Sequence, residues 1–279
     1  MCRHLAYLGP PATLRSVIID PPHGLYRQAW APRRQRHGTV NADGFGVGWY
    51  APDDPDPARY RHAGPMWADE SFADLARVVR AGAILAAVRS ATPGTDHGAA
   101  AIAPFASGQW LFSHNGKVEG WPESLAGLAA TLPAVALLGL EARVDSALLW
   151  ALILARLQRG AGPAEAIADT TGALDAAGVT GRFNFLLTDG RVIAASAAGD
   201  SLWYRPSSPA GPSVVVASEP DGEPGWTEVP DGSVVTATPQ EVAVTRLARA
   251  DVPARAEVPA RAEVPAGETD TQDGRIAFL

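Results

Sequence analysis

The 279-residue chain has a single cysteine, Cys2, and a single lysine, Lys117, and each scarcity excludes something. One cysteine cannot close an intramolecular disulfide, so nothing calls for an oxidising compartment. The six histidines are scattered without metal-ligand spacing, and no second thiol can join them, so neither a metal nor a cofactor is expected. No apolar run reaches the roughly 20 residues that cross a bilayer, and the N-terminus lacks the apolar stretch of a secretory signal. The expected location is therefore the cytoplasm, away from membranes. Cations are outnumbered, 23 against 30 acidic residues, and the net charge of −7 argues against nucleic acid as a partner.

What is present suits a globular protein: 47% of residues are hydrophobic and the mean hydropathy is −0.01. The length fits one large domain or two small ones. Residues 2–8 read as a strand stopped by Gly9-Pro10-Pro11, and "GFGVGWY" (44–50) as a buried strand whose glycines admit other backbone. "APDDPDPARY" reads as a loop. "SFADLARVVRAG" predicts a helix capped by Ser71 and stopped by Gly82, feeding the apolar strand 83–89. "QWLFSHNG" (109–116) reads as a strand running into a turn. The longest helical signal is 145–160, capped by Asp145 or Ser146 and apolar nearly all round, which places it between other layers. A second helix is expected over about 163–176. The pattern then turns to strands: "FNFLLTDGRVIAAS" as a hairpin turning at Asp189-Gly190, then "SLWYR", "SVVVAS" and "SVVTAT". From about residue 250 the repeat "VPARAE" cannot bury enough apolar area to order itself, and 250–279 is expected to be a flexible tail.

Cys2 is the residue that carries chemistry. It could be chance, a lipid-attachment site or a small strand residue, and the missing signal sequence removes the lipid reading. If Met1 is removed, the thiol shares a residue with a free α-amine. That amine, with an ordinary pKa of about 7.7 to 8.0, can accept the thiol proton and later return it to a leaving amine. Acyl transfer also needs donors aimed at an oxyanion. "SHNG" (113–116) offers the Asn115 side-chain amide and the Gly116 N–H, although Asn-Gly by itself is a common turn dipeptide. Gly44, Gly46 and Gly48 do not open a helix, which rejects a phosphate loop.

These pieces together resemble the class II glutamine amidotransferase family, the Cys-type N-terminal-nucleophile hydrolases. The matching segments stand in the family's order: "MCRHLAYLG", "NADGFGVGWY" (41–50), "VRSATPG" (88–94), "SHNG", "VDSALL" (144–149) and "VVASEPDG" (215–222). The resemblance implies an α+β fold, a four-layer αββα sandwich of two antiparallel sheets with helices outside, over residues 2–249. It implies Cys2 as nucleophile and, through its α-amine, as base, with Asn115 and Gly116 as the oxyanion hole. Arg89 would hold the α-carboxylate of a γ-glutamyl group and Asp145 its α-ammonium, with Thr92 and His114 also binding substrate. Read alone, Arg89 could equally reach solvent and Asp145 could be a plain helix cap. The loop departs from the family pattern at Pro93.

The opening segment, with "DPPHGL" and "APRRQRHG" ahead of "NADGFGVGWY", is most similar to the ergothioneine-biosynthesis branch, whose enzymes remove glutamate from γ-glutamyl-hercynylcysteine sulfoxide. That implies a small-molecule γ-glutamyl substrate with a trimethylammonium group, for which Trp30, Trp49, Tyr50 and Trp110 are candidate aromatic faces. Whether the chain forms a homo-oligomer stays open. Two other expectations stand beside this one. The chain could be a glutaminase subunit passing ammonia to a separate synthase, since no segment is left for a synthase of its own, or a non-catalytic binding protein on the same fold.

Overall fold

The computed structural model describes residues 2–92, 94–207 and 211–247. In chain order the elements are β1 (Arg3–Thr13), α1 (Leu14–Ile18), α2 (Leu25–Gln28), β2 (Gly44–Trp49), β3 (Ala58–His62), α3 (Glu70–Val78) and β4 (Arg80–Arg89). Then come β5 (Phe105–Ser107), β6 (Trp110–Val118), α4 (Ala126–Ala129), α5 (Ala134–Leu138), α6 (Asp145–Leu157) and α7 (Pro163–Ala176). The remainder is β7 (Gly181–Thr188), β8 (Ile193–Ala197), β9 (Trp203–Ser207), β10 (Ser213–Ala217), β11 (Thr227–Glu228), β12 (Ser233–Ala237) and β13 (Val242–Arg246). They pair into a seven-stranded sheet, β11-β9-β10-β1-β4-β2-β3, and a six-stranded one, β13-β12-β8-β7-β6-β5.

Three apolar layers hold these elements together, and strand alternation sorts residues among them. On β4, Ile84, Ala86 and Val88 face α1–α3 with Leu14, Ile18 and Phe72. Ala83 and Leu85 of the same strand face the second sheet, meeting Leu111, Leu186 and Val235. Phe112, Phe185 and Leu187 face outwards onto Leu149 and Ile153 of α6 and Ile167 and Leu174 of α7. The order helix, sheet, sheet, helix is the αββα sandwich expected. Burial of these aliphatic and aromatic side chains, each worth about 1.5 to 3 kcal/mol, is the main force behind it.

The helix over 163–176 forms as α7, with Pro163 at its first position and the Glu165 carboxylate accepting the Gly162 N–H at 3.1 Å. The hairpin also forms: Asp189 Oδ1 accepts the N–H groups of Arg191 and Val192 at 2.9 and 3.0 Å, and Gly190 takes φ +85°.

Several boundaries differ from expectation. β1 does not stop at Gly9-Pro10-Pro11, because its register with β4 shifts between Leu8 and Ala12, and the prolines occupy that irregularity without breaking a ladder bond. The cap of α3 is Asp69, whose carboxylate accepts the Phe72 N–H at 3.0 Å, two residues before Ser71; Gly82 lies inside β4. The end of "APDDPDPARY" enters β3. α6 begins after Val144 without a side-chain cap, so neither Asp145 nor Ser146 has that task. Its flanks are covered by α4, α5 and α7, which accounts for its apolar circumference. The tail expected over 250–279 lies outside the described residues.

Candidate active site

The inter-sheet layer changes character along its length. On β1, Leu8 and Ala6 give way to His4; on β6, Leu111 gives way to Ser113 and Asn115. On β7, Leu186 is followed towards the same end by Asn184, and beyond β10 Val214 and Val216 give way to Ser218. His4, Ser113, Asn115, Asn184 and Ser218 are all buried. Alternation continued from His4 puts Cys2, a half-buried free thiol, on this face as well.

Hydrogen bonds tie the two sheets together at this end. His4 Nδ1 lies 3.1 Å from Ser113 Oγ. The His4 N–H donates to Ser218 Oγ at 3.0 Å, and Asn115 Nδ2 donates to the same oxygen at 3.3 Å. One hydroxyl thus links the strand that follows Cys2 to the strand that carries Asn115. Asn184 accepts the N–H groups of Ala198 and Asp200 and donates to the Asp200 carbonyl, fixing the turn from which Ser201 donates to the Ser218 carbonyl at 2.8 Å. Burial, reinforced by His114 and Arg3, lowers the His4 pKa to about 3, so the imidazole is neutral and acts by hydrogen bonding. Arg3 is fully buried, and its pKa is lowered by desolvation against the opposing pull of Glu219, Asp200 and Cys2. Its guanidinium is the cation nearest the thiol along the chain.

Asn115 and Gly116 do not lie in a turn. They sit inside β6, paired with Asn184 and Phe183, because the ladder to β7 overrides the local Asn-Gly preference. A Cβ at Gly116 would run into the Arg182 carbonyl and the His114 imidazole, so only glycine fits there. His114 is separated from the other candidates. Its ring points to the helical layer, with Nδ1 3.0 Å from Ser146 Oγ and Nε2 2.8 Å from the Arg182 carbonyl. The resemblance implies that His114 also binds substrate; the side-chain period of two puts its ring opposite Asn115, where it braces β6 against α6.

Arg89 ends β4 and is buried. Its Nη2 donates to the Asp96 carbonyl at 2.7 Å and to Thr95 Oγ1 at 3.3 Å, whereas Nη1 is buried without a hydrogen bond. Thr92 turns the loop that follows, its carbonyl accepting the Thr95 N–H and hydroxyl at 3.2 and 2.7 Å. Asp145, at the start of α6, has Oδ2 on the Val118 N–H at 3.0 Å and Oδ1 on the Ser146 N–H at 2.7 Å. Ser146 Oγ also donates to Oδ1 at 3.2 Å, so it is Oδ2 that keeps a second lone pair, enough to meet an ammonium.

Glu219, Asn41 and Asp43 lie in segments that match the family, and no local pattern in the sequence assigns them a role. The buried Glu219 carboxylate accepts the N–H groups of Arg33 and Arg34 and lies 2.7 Å from His23 Nε2. Asn41 donates to Gln28 and Gln35, and Asp43 Oδ2 accepts the Ala91 N–H at 2.7 Å. Three of the four aromatic candidates lie elsewhere. Trp49, Tyr50 and Trp110 stand at the opposite end of their strands, with Trp110 five residues, about 17 Å, from Asn115. Trp30 packs edge-on against Tyr26 and Trp67 on the helical side.

One end of the sandwich thus carries a thiol, a side-chain amide and a buried guanidinium whose Nη1 has no hydrogen bond among the described residues, the kinds of group an N-terminal-nucleophile site uses. Residues 25–212 match the family of class-II glutamine amidotransferases, and the chain belongs to it. Over 251 residues, 88% of this chain and all of the relative, it is 43% identical to the gamma-glutamyl-hercynylcysteine sulfoxide hydrolase of Mycolicibacterium smegmatis. A glutamine aminotransferase class-II domain protein of Silicibacter pomeroyi superposes with a TM-score of 0.66 at 27% identity, over 88% of this chain and all of that one. The glutamine phosphoribosylpyrophosphate amidotransferase of Bacillus subtilis shares the fold, with a TM-score of 0.62 at 16% identity over 88% of this chain and 49% of its own. Among the described residues no helix is long and apolar enough to cross a membrane.

Proposed function

We propose that the chain hydrolyses the γ-glutamyl amide bond of γ-glutamyl-hercynylcysteine sulfoxide, with Cys2 exposed as the N-terminal residue after loss of Met1. The observation that carries the reading is the 43% identity over the full length of a hydrolase named for that substrate. The polar end of the sandwich supports it with suitable chemistry. The Cys2 α-amine takes the thiol proton and Sγ attacks the γ-carbonyl carbon. Asn115 Nδ2 and the Gly116 N–H receive the oxyanion, donors of a kind worth about 10² to 10³ in rate. The C–N bond then breaks, the amine carrying the proton to the leaving nitrogen, and a thioester remains on Cys2. Water attacks the thioester carbon, again through the α-amine, releasing glutamate and restoring the thiol.

Arg89 Nη1 has no hydrogen bond in the protein and suits the glutamyl α-carboxylate. Asp145 faces the α-ammonium, and Thr92 shapes the loop around Arg89. Ser218 and His4 act through others, by holding Asn115 and the strand behind Cys2 in place. The catalytic unit is residues 2–249, working in the cytoplasm, where a lone thiol stays reduced.

Intact mass establishes loss of Met1, and glutamate release is then compared between the sulfoxide substrate and glutamine. The expected kcat/KM is at least about tenfold higher for the sulfoxide. Glutamine as the equal or better substrate would overturn the reading in favour of an ammonia-supplying subunit.

A further inference from the structure

The segment from Ala31 to Val40, between α2 and β2, has no acidic residue and carries three arginines and a histidine in a protein of net charge −7. Most of it is exposed, yet its backbone is held. The buried Glu219 carboxylate takes the Arg33 N–H at 3.1 Å and the Arg34 N–H at 2.6 Å. Gln35 Oε1 accepts Arg3 Nε at 3.3 Å and Asn41 Nδ2 at 3.0 Å, and Asn41 N donates to the Ala29 carbonyl at 2.6 Å. These bonds fix the backbone and leave the cationic side chains outside. Among the described residues, Arg33, Arg34 and Arg36 have no carboxylate within ion-pair distance. Arg34 lies over the Trp203 ring at 5.5 Å.

The position of the segment matters as much as its charge. Gln35 is bonded to Arg3, the residue after Cys2. Gly38 comes against Ser90, the residue after Arg89. The segment therefore lies along the polar end of the sandwich, from the strand that follows Cys2 to the residue that follows Arg89. Arg89 is buried below it.

Glutamine and a γ-glutamyl conjugate share the glutamyl half and differ in what leaves. Glutamine releases ammonia, which carries no anion. A conjugate of an amino acid releases an amine whose own α-carbon bears a carboxylate. We propose that Arg33, Arg34 and Arg36, held over the site by Glu219, form the subsite for the carboxylate of an amino-acid leaving group and thereby select γ-glutamyl-amino acids over glutamine. The inference rests on the γ-glutamyl hydrolase reading above and adds to it the residues that read the leaving group. Guanidinium forks match carboxylates in shape, and arginine is the residue type suited to that pairing.

The test uses a matched pair of substrates, γ-glutamyl-S-methylcysteine and its decarboxylated counterpart, γ-glutamyl-2-(methylthio)ethylamide, with glutamine as a third. Processed wild-type enzyme is compared with an R33Q/R34Q/R36Q variant and with R36Q alone, an exposed residue whose side chain makes no hydrogen bond or ion pair among the described residues. For the triple variant, kcat/KM on the carboxylate-bearing substrate is expected to fall roughly 30-fold, chiefly through KM, as loss of a charged hydrogen-bonded pair implies. The decarboxylated amide and glutamine should change less than about threefold. R36Q should show a smaller loss of the same kind, so that the test does not depend on the triple variant folding. Equal losses on both members of the pair, or full retention of the preference, would overturn the inference. Wild-type enzyme favouring glutamine over both amides would instead sink the hydrolase reading itself, so the two failures are distinguishable.

Discussion

The two ends of the inter-sheet layer are built on the same strands and do opposite things. At one end Leu8, Ala83, Leu85, Leu111 and Val214 close an apolar layer. There Tyr50 donates its hydroxyl to the Gln109 and Thr188 carbonyls at 2.7 and 2.9 Å, leaving that polar atom satisfied. At the other end His4 Nε2, Asn115 Oδ1 and Arg89 Nη1 are buried without hydrogen bonds in the protein. Buried polar atoms of that kind are costly, about 1 to 3 kcal/mol each, and are uncommon in folded proteins. Their place at the end of the layer where β1 begins supports the proposal that this end receives a polar ligand, with stability drawn from the apolar end.

The sharpest break in the comparison comes from Cys2→Ala, which should lower glutamate release by at least about 10³-fold while leaving the thermal midpoint within about 1 °C. A variant that lost both together would show that the polar end also carries stability. Asn115→Ala is expected to cost about 10² to 10³ in kcat with little change in KM, since the donor acts on the oxyanion. The same change removes the unpartnered Oδ1 but also loses the Nδ2 bond to Ser218 and leaves a small void, so urea titration should find the variant less stable than wild type by only about 1 kcal/mol. At the apolar end, Leu111→Ala should lower stability by about 3 kcal/mol, with kcat/KM per folded molecule unchanged. Loss of activity there beyond the unfolded fraction would mean that the two ends are mechanically coupled.

The last effect, absent at neutral pH, is a pH dependence from His4, which sits where the layer changes character. In the unfolded chain this histidine protonates near its ordinary 6.5, whereas the folded protein keeps it neutral down to about 3. Between those values the unfolded state binds the extra proton. Stability is therefore fully present above pH 6.5 and is lost as pH falls, by up to about 1.4 kcal/mol per unit. Urea midpoints at pH 7, 5.5 and 4.5 measure the slope, and His4→Gln should flatten it. An unchanged slope in that variant would assign the acid sensitivity to the carboxylates.

Much of this was legible in the sequence because it is local or periodic. The apolar runs at 83–89 and 44–50 announced buried strands, Pro163 marked the start of α7, and the ordered segments behind Cys2 announced the family. What was not legible depended on partners distant in the chain. "SHNG" reads as a turn because Asn-Gly prefers one, and only pairing with Asn184 and Phe183 makes it strand. Gly9-Pro10-Pro11 reads as a stop, and only the register shift against β4 lets β1 continue. His114 stands next to Asn115 in sequence and lies on the other side of the sheet. Glu219 carries no local signal of its task, which depends on the Arg33 and Arg34 amides more than 180 positions away.

The sequence by itself determined the composition of the layers and the order of the chemical groups, because side-chain period and residue type are written locally. Tertiary structure decided which groups meet. Ser218 joins His4 to Asn115 across two sheets, and Glu219 holds the backbone of the arginine segment at Arg33 and Arg34. Such contacts are fixed by strand register and sheet packing, which no short stretch of sequence encodes.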